Sequence, residues 1–360
     1  MTRPGNGRGQ VLITGGAGFI GANLADRLLA GGESVVVLDD LSRPGVERNL
    51  GWLRARHGDA VQHLDTDVRD AGAVDAAVTA SAFVYHFAAQ VAVTTSLRDP
   101  RTDHAINVGG TLNVLEAMRK ASKPPGLMFA STNKVYGALP GVGVRKVERR
   151  VEPADPAMAG RGVNETQPLD FISPYGCSKG AADQYVLDYA RSFGLPAVVF
   201  RMSCIYGPHQ QATSDQGWVA HFLKQALQGE PLTIYGDGHQ VRDLLYIDDF
   251  VGALLLLRER IDRLSGQVFN MGGGIANTLS LLELIETAER LSGRSLDVLF
   301  AGPRPGDQPW FAADHGRFSS LTGWAPRIGV AAGIDLLWGW LAEDRQAPVD
   351  IPTRPSESRV

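Results

Sequence analysis

The chain is poor in cysteine and has no long apolar run. Its only cysteines in 360 residues, Cys177 and Cys204, form no Cys-x-x-Cys pair, so neither a disulfide framework nor a zinc cluster is indicated and no metal is expected. The longest uncharged apolar run, Phe250 to Leu257, is far shorter than the ~20 residues of a membrane-spanning helix. No signal peptide is visible, so we expect a cytoplasmic protein without membrane partners.

The chain also lacks an excess of positive charge. Lys and Arg number 35 against 39 Asp and Glu, a net charge of −4, which gives no general attraction to nucleic acid or anionic lipid. With 44% hydrophobic and 21% charged residues, the composition is typical of a globular protein. At ~150 residues per domain, the length predicts one large domain or two fused ones.

What the sequence does contain is a repeated alternation of short apolar runs with longer helical patterns. Strands are predicted at Val11 to Thr14, Ser34 to Leu38, Phe83 to Phe87, Leu127 to Ala130 and Ala197 to Phe200. Helices are predicted at Phe19 to Ala30, Ala105 to Lys120 and Ala181 to Phe193. This alternation predicts an α/β fold with a doubly wound parallel sheet of the Rossmann type, followed by a smaller, mostly C-terminal α/β domain.

The predicted domains are residues 10–206 and 207–345, with tails at 1–9 and 347–360. The boundary is open, because segments near 240–275 are candidates to return to the first domain. Residues 138–168 are rich in Gly, Pro, Arg and Glu and show no sustained period, so we expect an irregular insertion there. Its arginine-rich part, Arg145 to Arg161, either caps a site or is a solvated loop.

A glycine-rich turn follows the first predicted strand. That strand ends at Thr14, and Gly15-Gly16-Ala17-Gly18-Phe19-Ile20-Gly21 comes next. Glycines permit a tight turn and let backbone N–H groups approach a pyrophosphate at the helix N-terminus. The second strand ends near Asp39, where a carboxylate can accept ribose hydroxyls and repels a 2′-phosphate. The expected cofactor is therefore NAD, and nearby Arg43 is the residue that leaves room for NADP.

Two further segments are expected at the cofactor. Asp67 and Val68 follow the third strand and are predicted at the adenine edge, unless Asp67 is a solvated residue before a helix. Ala88, Ala89 and Gln90 follow the fourth strand and either let the backbone approach the cofactor or permit close helix–sheet packing. The full predicted cofactor set is Gly15, Gly18, Phe19, Ile20, Gly21, Asp39, Asp67, Val68, Ala88, Ala89, Gln90, Tyr175 and Lys179.

A tyrosine and a lysine lie four residues apart near the start of a predicted helix. At this spacing Tyr175 and Lys179 share one helix face. An ammonium near a phenol favours the phenolate, so we expect Lys179 to lower the pKa of Tyr175 toward the range of a general base. Thr132, in the string Ser131-Thr132-Asn133-Lys134-Val135-Tyr136-Gly137, supplies a hydroxyl just beyond the fifth strand.

In these motifs the chain resembles the extended short-chain dehydrogenase/reductase family, which includes NAD-dependent epimerases and dehydratases, across nearly all its length. The resemblance implies that Tyr175 exchanges a proton with a sugar hydroxyl, that Thr132 hydrogen-bonds the same oxygen and that Lys179 holds the nicotinamide ribose. It also implies that Arg242 and Arg304 bind the diphosphate of a nucleotide sugar in the second domain, and that two subunits form a homodimer.

The residues after Thr132 bear on the reaction. Related 4,6-dehydratases carry a carboxylate one or two positions after this hydroxyl, whereas this chain has Asn133 and Lys134, which favours an epimerase. The Thr132 to Gly137 string most resembles CDP-paratose (CDP-tyvelose) 2-epimerases, which implies transient oxidation of a CDP-sugar at C2 and re-reduction on the opposite face. The alternative is a UDP- or GDP-sugar 4-epimerase. A 4,6-dehydratase, a net dehydrogenase and a non-catalytic NAD-binding protein are less favoured.

The predicted substrate-binding residues are Thr132, Asn133, Cys204, Tyr235, Arg242 and Arg304. Cys204 stands where many relatives have asparagine, so one polar contact to substrate is in doubt. Tyr235 is expected either near the base or ribose or in the core. His209 either lines the sugar pocket or is structural.

Overall fold

The computed structural model describes residues 9–139, 141–213, 215–304 and 306–346. The predicted tails lie outside the described residues, except for Gly9. The strands are β1 Val11–Thr14, β2 Val35–Leu38, β3 Val61–Leu64, β4 Phe83–His86, β5 Gly126–Thr132, β6 Val144–Val147, β7 Arg150–Pro153, β8 Ala197–Met202, β9 Cys204–Tyr206, β10 Leu232–Tyr235, β11 Val241–Tyr246, β12 Val268–Met271, β13 Thr278–Ser280, β14 Val298–Ala301 and β15 Trp310–Phe311.

The helices are α1 Phe19–Ala30, α2 Val46–His57, α3 Ala71–Thr79, α4 Val93–Arg98, α5 Pro100–His104, α6 Gly110–Lys120, α7 Pro156–Arg161, α8 Ser173–Phe193, α9 Trp218–Gln228, α10 Ile247–Glu259, α11 Ile261–Leu264, α12 Leu281–Ser292, α13 Gly316–Thr322 and α14 Val330–Gln346. Short 3₁₀ turns cover Gly58–Ala60, Asn133–Tyr136 and Ile275–Asn277, and Ala105–Gly109 is a π-helical turn.

A seven-stranded parallel sheet organises the fold. Its strand order is β12-β8-β5-β4-β1-β2-β3, with every neighbouring pair parallel. The order in which successive strands join the sheet therefore reverses between β1 and β4. A doubly wound sheet leaves a crevice for ligands at this point. Strands β1, β2 and β4 are buried along their whole length because helices cover both faces of the sheet. The predicted Rossmann-type fold is confirmed.

Each face of this sheet has its own apolar core. Side chains of a strand alternate between faces, so Ile13 packs into one core with Phe200 and Phe250. Leu12 packs on the opposite face, in a core that includes Phe129. In the described part of the chain, no helix is long and apolar enough to cross a membrane. Nor does that part hold a group of three or more His, Cys, Asp or Glu residues arranged to bind a metal ion.

The helix that carries Tyr175 is longer than the sequence pattern predicted. Helix α8 begins at Ser173 rather than at Ala181, so its first two turns contain both Tyr175 and Lys179. Gly176 and Gly180 obscured this start, because glycine is a poor helix former. Pro174 lies in the first turn, where its missing N–H removes no helical hydrogen bond.

The C-terminal part of the chain forms smaller sheets and then returns to the large one. Strand β11 is fully buried and pairs with β9, β13 and β15, while β10 pairs with β14. Strand β12 pairs with β8 and is the edge strand of the large sheet. The domain limits at 206 and 207 stay a prediction, with 268–271 contributing to the first sheet.

The expectation of an irregular segment at 138–168 was wrong for much of its length. Strands β6 and β7 form an antiparallel hairpin, and helix α7 follows, with the Asp155 side chain accepting the Ala157 N–H at 2.9 Å. Strand β6 is mostly exposed, whereas Val151 of β7 packs in an apolar core with Tyr136 and Phe311. Ion pairs also join the hairpin to α12, from Arg149 to Glu286 and from Arg150 to Glu283.

Candidate active site

Three adjoining cavities open at the carboxyl ends of the large sheet's strands. We call them the glycine-loop cavity, the central cavity and the arginine cavity, with volumes of about 210, 250 and 300 Å³. Val91 and Gln216 line all three, so the cavities form one continuous cleft. The cleft lies where the strand order reverses between β1 and β4, and this class of sheet binds ligands there.

The glycine-loop cavity fits a pyrophosphate. Helix α1 begins directly after Gly18 without a side-chain cap, so its first backbone N–H groups face the cavity. Gly15 has φ +67°, and a Cβ atom there would lie 2.7 Å from the Ala88 nitrogen. Only glycine therefore allows the turn after β1 to approach the end of β4. An anionic cofactor fits this loop without any charged side chain to bind it.

Asp39 is held against the glycine loop at the edge of this cavity. One carboxylate oxygen accepts the Ala17 N–H at 2.9 Å and the other accepts the Leu41 N–H at 3.0 Å. Burial raises the pKa of Asp39 from its usual range, and these two backbone hydrogen bonds oppose that rise. Each oxygen keeps a further lone pair for a ribose hydroxyl. Arg43 lines the same cavity.

Most of the remaining predicted cofactor residues lie at the glycine-loop cavity, but one does not. Those that line it are Gly18, Phe19, Ile20, Gly21, Asp67, Val68, Ala88 and Ala89. The Asp67 carboxylate is also paired with Arg69 at 2.5 Å. Gln90 lines none of the three cavities, and the expected approach of the backbone at this position to a cofactor stays a prediction. Its amide donates to Asp103 at 2.7 Å, because that buried carboxylate needs hydrogen-bond donors.

Thr132, Tyr175 and Lys179 meet at the wall of the central cavity. Thr132 ends β5, and the other two lie in the first two turns of α8. Burial raises the pKa of Tyr175 to about 12, and a hydrogen bond with Thr132 opposes this rise. Burial also lowers the pKa of Lys179 to about 7, against the attraction of Asp183 and Asp103.

The expected lowering of the Tyr175 pKa by Lys179 is not seen. The physical reason is that both groups are buried, and loss of water disfavours the charged forms of each. The Lys179 nitrogen lies 4.2 Å from the centre of the Phe129 ring, a contact that stabilises its charge. The phenol is thus in hydrogen-bonding reach of Thr132 but strongly favours its neutral form.

A polar network that the sequence did not predict fixes the start of α8. The Tyr175 N–H donates to the Ser96 hydroxyl at 3.1 Å. The Ser178 hydroxyl donates to Asp103 at 2.5 Å and accepts from the Asn107 amide at 2.9 Å. Ser178 lies inside the Tyr175–Lys179 motif, but its partners are 71 and 75 residues away, so no local pattern reveals them.

The arginine cavity brings together the predicted diphosphate residues. Arg242 donates to one Asp307 oxygen at 2.6 Å, and the Lys134 ammonium lies 3.3 Å from the same oxygen. The Arg304 guanidinium lies 3.8 Å from the centre of the Tyr235 ring, which is cation–π geometry. Asp307 and Lys134 were absent from the predicted site, although Lys134 belongs to the string quoted for Thr132 and Asp307 is three residues after Arg304.

The residues after Thr132 offer no acid. The Asn133 amide donates to Gln308 at 3.2 Å, and Lys134 carries the ammonium described above. Among the described residues that line the central and arginine cavities, the carboxylates are Asp215 and Asp307. Both are ion-paired, Asp215 with Arg304 at 3.3 Å and Asp307 with Arg242.

Cys204 and His209 have different placements. Cys204 lines the central and arginine cavities and receives a hydrogen bond from the Trp218 indole at 3.4 Å. Burial raises the pKa of this thiol, so it is a neutral, weakly polar group. It stands at the position where the resemblance implies an asparagine in many relatives. His209 stacks on Trp52 at 3.7 Å outside the cleft. No described residue of the 138–168 segment lines the three cavities.

Comparison with known proteins gives a consistent result. A model of the NAD dependent epimerase/dehydratase family matches residues 11–272. The chain is 41% identical over 338 residues to a CDP-paratose 2-epimerase of Salmonella typhi, covering 92% of this chain and 98% of that protein.

Two solved structures share the fold. One is a UDP-glucose 4-epimerase with UDP-glucose from Thermotoga maritima, with TM-score 0.80 and 30% identity, covering 93% of this chain and 99% of that one. The other is a UDP-glucuronic acid 4-epimerase from Bacillus cereus with UDP-glucuronic acid and NAD, with TM-score 0.79 and 28% identity over the same shares.

Proposed function

From the premise that the chain belongs to the NAD-dependent epimerase/dehydratase family, we infer that it inverts C2 of a CDP-linked sugar. At the coarser level, it is an NAD-dependent nucleotide-sugar epimerase. The choice of carbon and base rests on the likeness to the Salmonella enzyme and on the residues after Thr132.

One observation carries the choice of epimerisation over elimination. A dehydratase must protonate a leaving hydroxyl, and Asn133 and Lys134 occupy the positions after the Thr132 hydroxyl. The carboxylates that line the same cavities, Asp215 and Asp307, are already paired with arginines. The cleft therefore supplies a proton-exchanging phenol next to a hydroxyl. Among the described residues that line it, no unpaired carboxylic acid is placed to protonate a leaving hydroxyl.

The mechanism follows from the residues around the central cavity. The glycine loop and Asp39 would hold NAD, which would supply reversible hydride transfer with the reacting carbon. The Tyr175 phenolate takes the proton of the reacting sugar hydroxyl and becomes the phenol, while Thr132 hydrogen-bonds the same oxygen and orients it. Burial favours the neutral phenol, so the phenolate needs a nearby positive charge, and Lys179, one turn along α8, supplies that charge when it is protonated. After the keto-sugar has turned, Tyr175 returns the proton, so the enzyme recovers its starting state.

A UDP-sugar 4-epimerase is the second candidate. It is favoured by the likeness to the Thermotoga structure, which extends over 93% of this chain. Both reactions use the same proton-exchanging pair, and they differ only in which sugar carbon faces the Tyr175 phenol.

The test is to incubate the purified protein with CDP-, UDP-, GDP- and dTDP-hexoses and to follow products by mass spectrometry and proton NMR. We expect a CDP-sugar of unchanged mass whose coupling constants show inversion at C2, with no net NADH. Inversion at C4 of a UDP-sugar would replace the proposal with the second candidate. Loss of water or stoichiometric NADH formation would contradict epimerisation altogether.

We also propose that two copies pair through helix α8. Its outer face carries Tyr185, Tyr189 and Phe193 at successive turns, with Tyr185 and Phe193 exposed. Large aromatic groups in a row on a surface are typical of a protein interface. Light scattering should show a dimer for the wild type and a monomer for the Tyr185→Glu/Phe193→Glu variant. A monomeric wild type would refute this proposal.

The cytoplasmic location stays a prediction.

A further inference from the structure

Lys134 connects the catalytic hydroxyl to the diphosphate cluster. Its backbone N–H donates to the Thr132 hydroxyl at 3.2 Å. Its side chain runs to the loop at 306–307, where the ammonium lies 3.3 Å from Asp307 and 3.4 Å from the Gly306 carbonyl. Lys134 lines the arginine cavity, and the 3₁₀ turn over Asn133–Tyr136 fixes its backbone immediately after β5.

The cluster around Lys134 has an excess of positive charge. Lys134 and Arg242 share a single oxygen of Asp307, at 3.3 and 2.6 Å, so one carboxylate faces two cations. Burial and the nearby Arg242 lower the pKa of Lys134, while Asp307 raises it. A second anion beside the ammonium would offset this unfavourable burial. The cavity wall is therefore suited to a phosphate.

Lys134 lines the same cavity as the catalytic groups. It is two residues from Thr132, and both line the arginine cavity together with Tyr175, whereas Arg304 is stacked on Tyr235, the last residue of β10. In a nucleotide sugar the β-phosphate is bonded to the sugar and the α-phosphate to the nucleoside. The phosphate nearer to the reacting carbon is always the sugar-linked one, so it is the one that Lys134 is placed to contact.

We propose that Lys134 binds the sugar-linked phosphate and thereby determines that C2 faces Tyr175. This inference rests on the proposed function, which it deepens. In the sugar, C2 is bonded directly to C1, which carries the phosphate, whereas C4 is three bonds from C1. A cation in the cavity that Thr132 and Tyr175 also line draws the phosphate toward the catalytic hydroxyls, and that position suits oxidation at C2 rather than at C4.

The first test measures binding, so it needs no turnover. Titration calorimetry on the NAD-loaded protein compares CDP, CMP and cytidine, with UDP, UMP and uridine as a parallel series. For Lys134→Met we expect CDP affinity to fall by about tenfold or more, the size of a lost hydrogen bond to a charged group, while CMP and cytidine change by less than about twofold. Lys134→Arg should retain most of the CDP affinity, because it keeps the cation.

A matched control is Lys146→Met. Lys146 also forms a pair with an aspartate, Asp237, at 2.6 Å, but it is exposed on the hairpin β6–β7 and lines none of the three cavities. All its affinities should remain at the wild-type values. If Lys134 only tied the 306–307 loop in place, Lys134→Met would weaken cytidine and CDP equally, and that result would overturn the proposal. Unchanged CDP affinity would also overturn it.

A second test addresses the choice of carbon. With the CDP-sugar as substrate, Lys134→Met should raise KM and lower kcat, because the phosphate and the sugar both lose their position. A higher KM with unchanged kcat would refute the effect on the sugar. If the wild type acts at C4 while Lys134→Met loses CDP or UDP affinity, the proposed function and the choice of carbon fail, and phosphate binding by Lys134 stands.

Discussion

Two buried Arg–Asp pairs differ in how completely the protein satisfies them. The interior pair is Arg201–Asp183, with two parallel contacts of 2.9 Å and a third guanidinium nitrogen donating to the Tyr136 hydroxyl at 3.1 Å. The cleft pair is Arg242–Asp307, with one contact of 2.6 Å between the side chains. The Asp183 side chain is fully buried, whereas that of Asp307 is 30% exposed at the cavity.

The difference separates an ion pair that only supports the structure from one that is placed to bind a ligand. All of the interior pair's partners are protein groups, so no ligand can gain a contact there. It also supports the site from behind, because the Ser131 hydroxyl, next to Thr132, donates to Asp183 at 2.8 Å. In the cleft pair, Asp307 holds Arg242 and Lys134 together at the surface of the cavity, where a diphosphate can reach both.

The largest expected effect is a loss of turnover at Tyr175, which belongs to neither ion pair. Tyr175→Phe removes the exchangeable proton and leaves both ion pairs intact, so turnover should fall by at least about 10³-fold. NAD and CDP affinity and the melting temperature should stay near the wild-type values. Steady-state kinetics with calorimetry checks this. Retained turnover would exclude Tyr175 as the proton-exchanging group.

The interior pair should dominate stability. Arg201→Met leaves the Asp183 carboxylate buried without its cation, so the free energy of unfolding should fall by about 3–5 kcal/mol. Urea denaturation measures this loss. The double variant Asp183→Asn/Arg201→Met should be more stable than the single variant, because no buried charge remains unpaired. A loss below about 1 kcal/mol for the single variant would remove the structural role of this pair.

The cleft pair should dominate affinity instead. Arg242→Met should weaken CDP binding by about 10- to 100-fold, as expected for lost charge-assisted hydrogen bonds. Its unfolding free energy should fall by less than that of Arg201→Met, because Lys134 still pairs with Asp307. Calorimetry and urea denaturation on both variants compare the two pairs directly. Equal losses of stability would erase the distinction drawn above.

The most gradual effect is a pH dependence that originates at Lys179, which Asp183 attracts. Burial lowers the Lys179 pKa from its usual value near 10.5 to about 7, so above pH 7 the unfolded chain binds more protons than the folded one. Stability should therefore rise with pH between 7 and 10.5, by about 1.4 kcal/mol per unit at most. Urea titrations at pH 7.5 and 9 should show a flatter slope for Lys179→Met. A slope identical to the wild type would contradict this.

The parts of the site that were predictable are those encoded in contiguous motifs. The turn from Gly15 to Gly21, the carboxylate of Asp39 and the Tyr175–Lys179 spacing each follow from local geometry. Lys134 and Asp307 are 173 residues apart and meet only when β5 and the 306–307 loop pack together. The side-chain partner of Gln90 was not predictable either, because the buried Asp103 that accepts from its amide is 13 residues away.

The fold was predictable to the same degree and for the same reason. Apolar runs buried on both faces produce strong strand patterns, as in β1 and β2. The exposed strand β6 produces none, because its hairpin packs on the rest of the protein through Val151 of β7. The pKa of Tyr175 also depends on burial, which spacing alone does not reveal.

The return of the chain to β12 constrains how this protein can be divided. A fragment that stops at 206 would lack the edge strand and expose the backbone of β8, a template for aggregation. The region between β8 and β12 is anchored in the large sheet at both ends. The two walls of the cleft are thus joined through the large sheet. That sheet sets the distance between the expected cofactor and sugar sites.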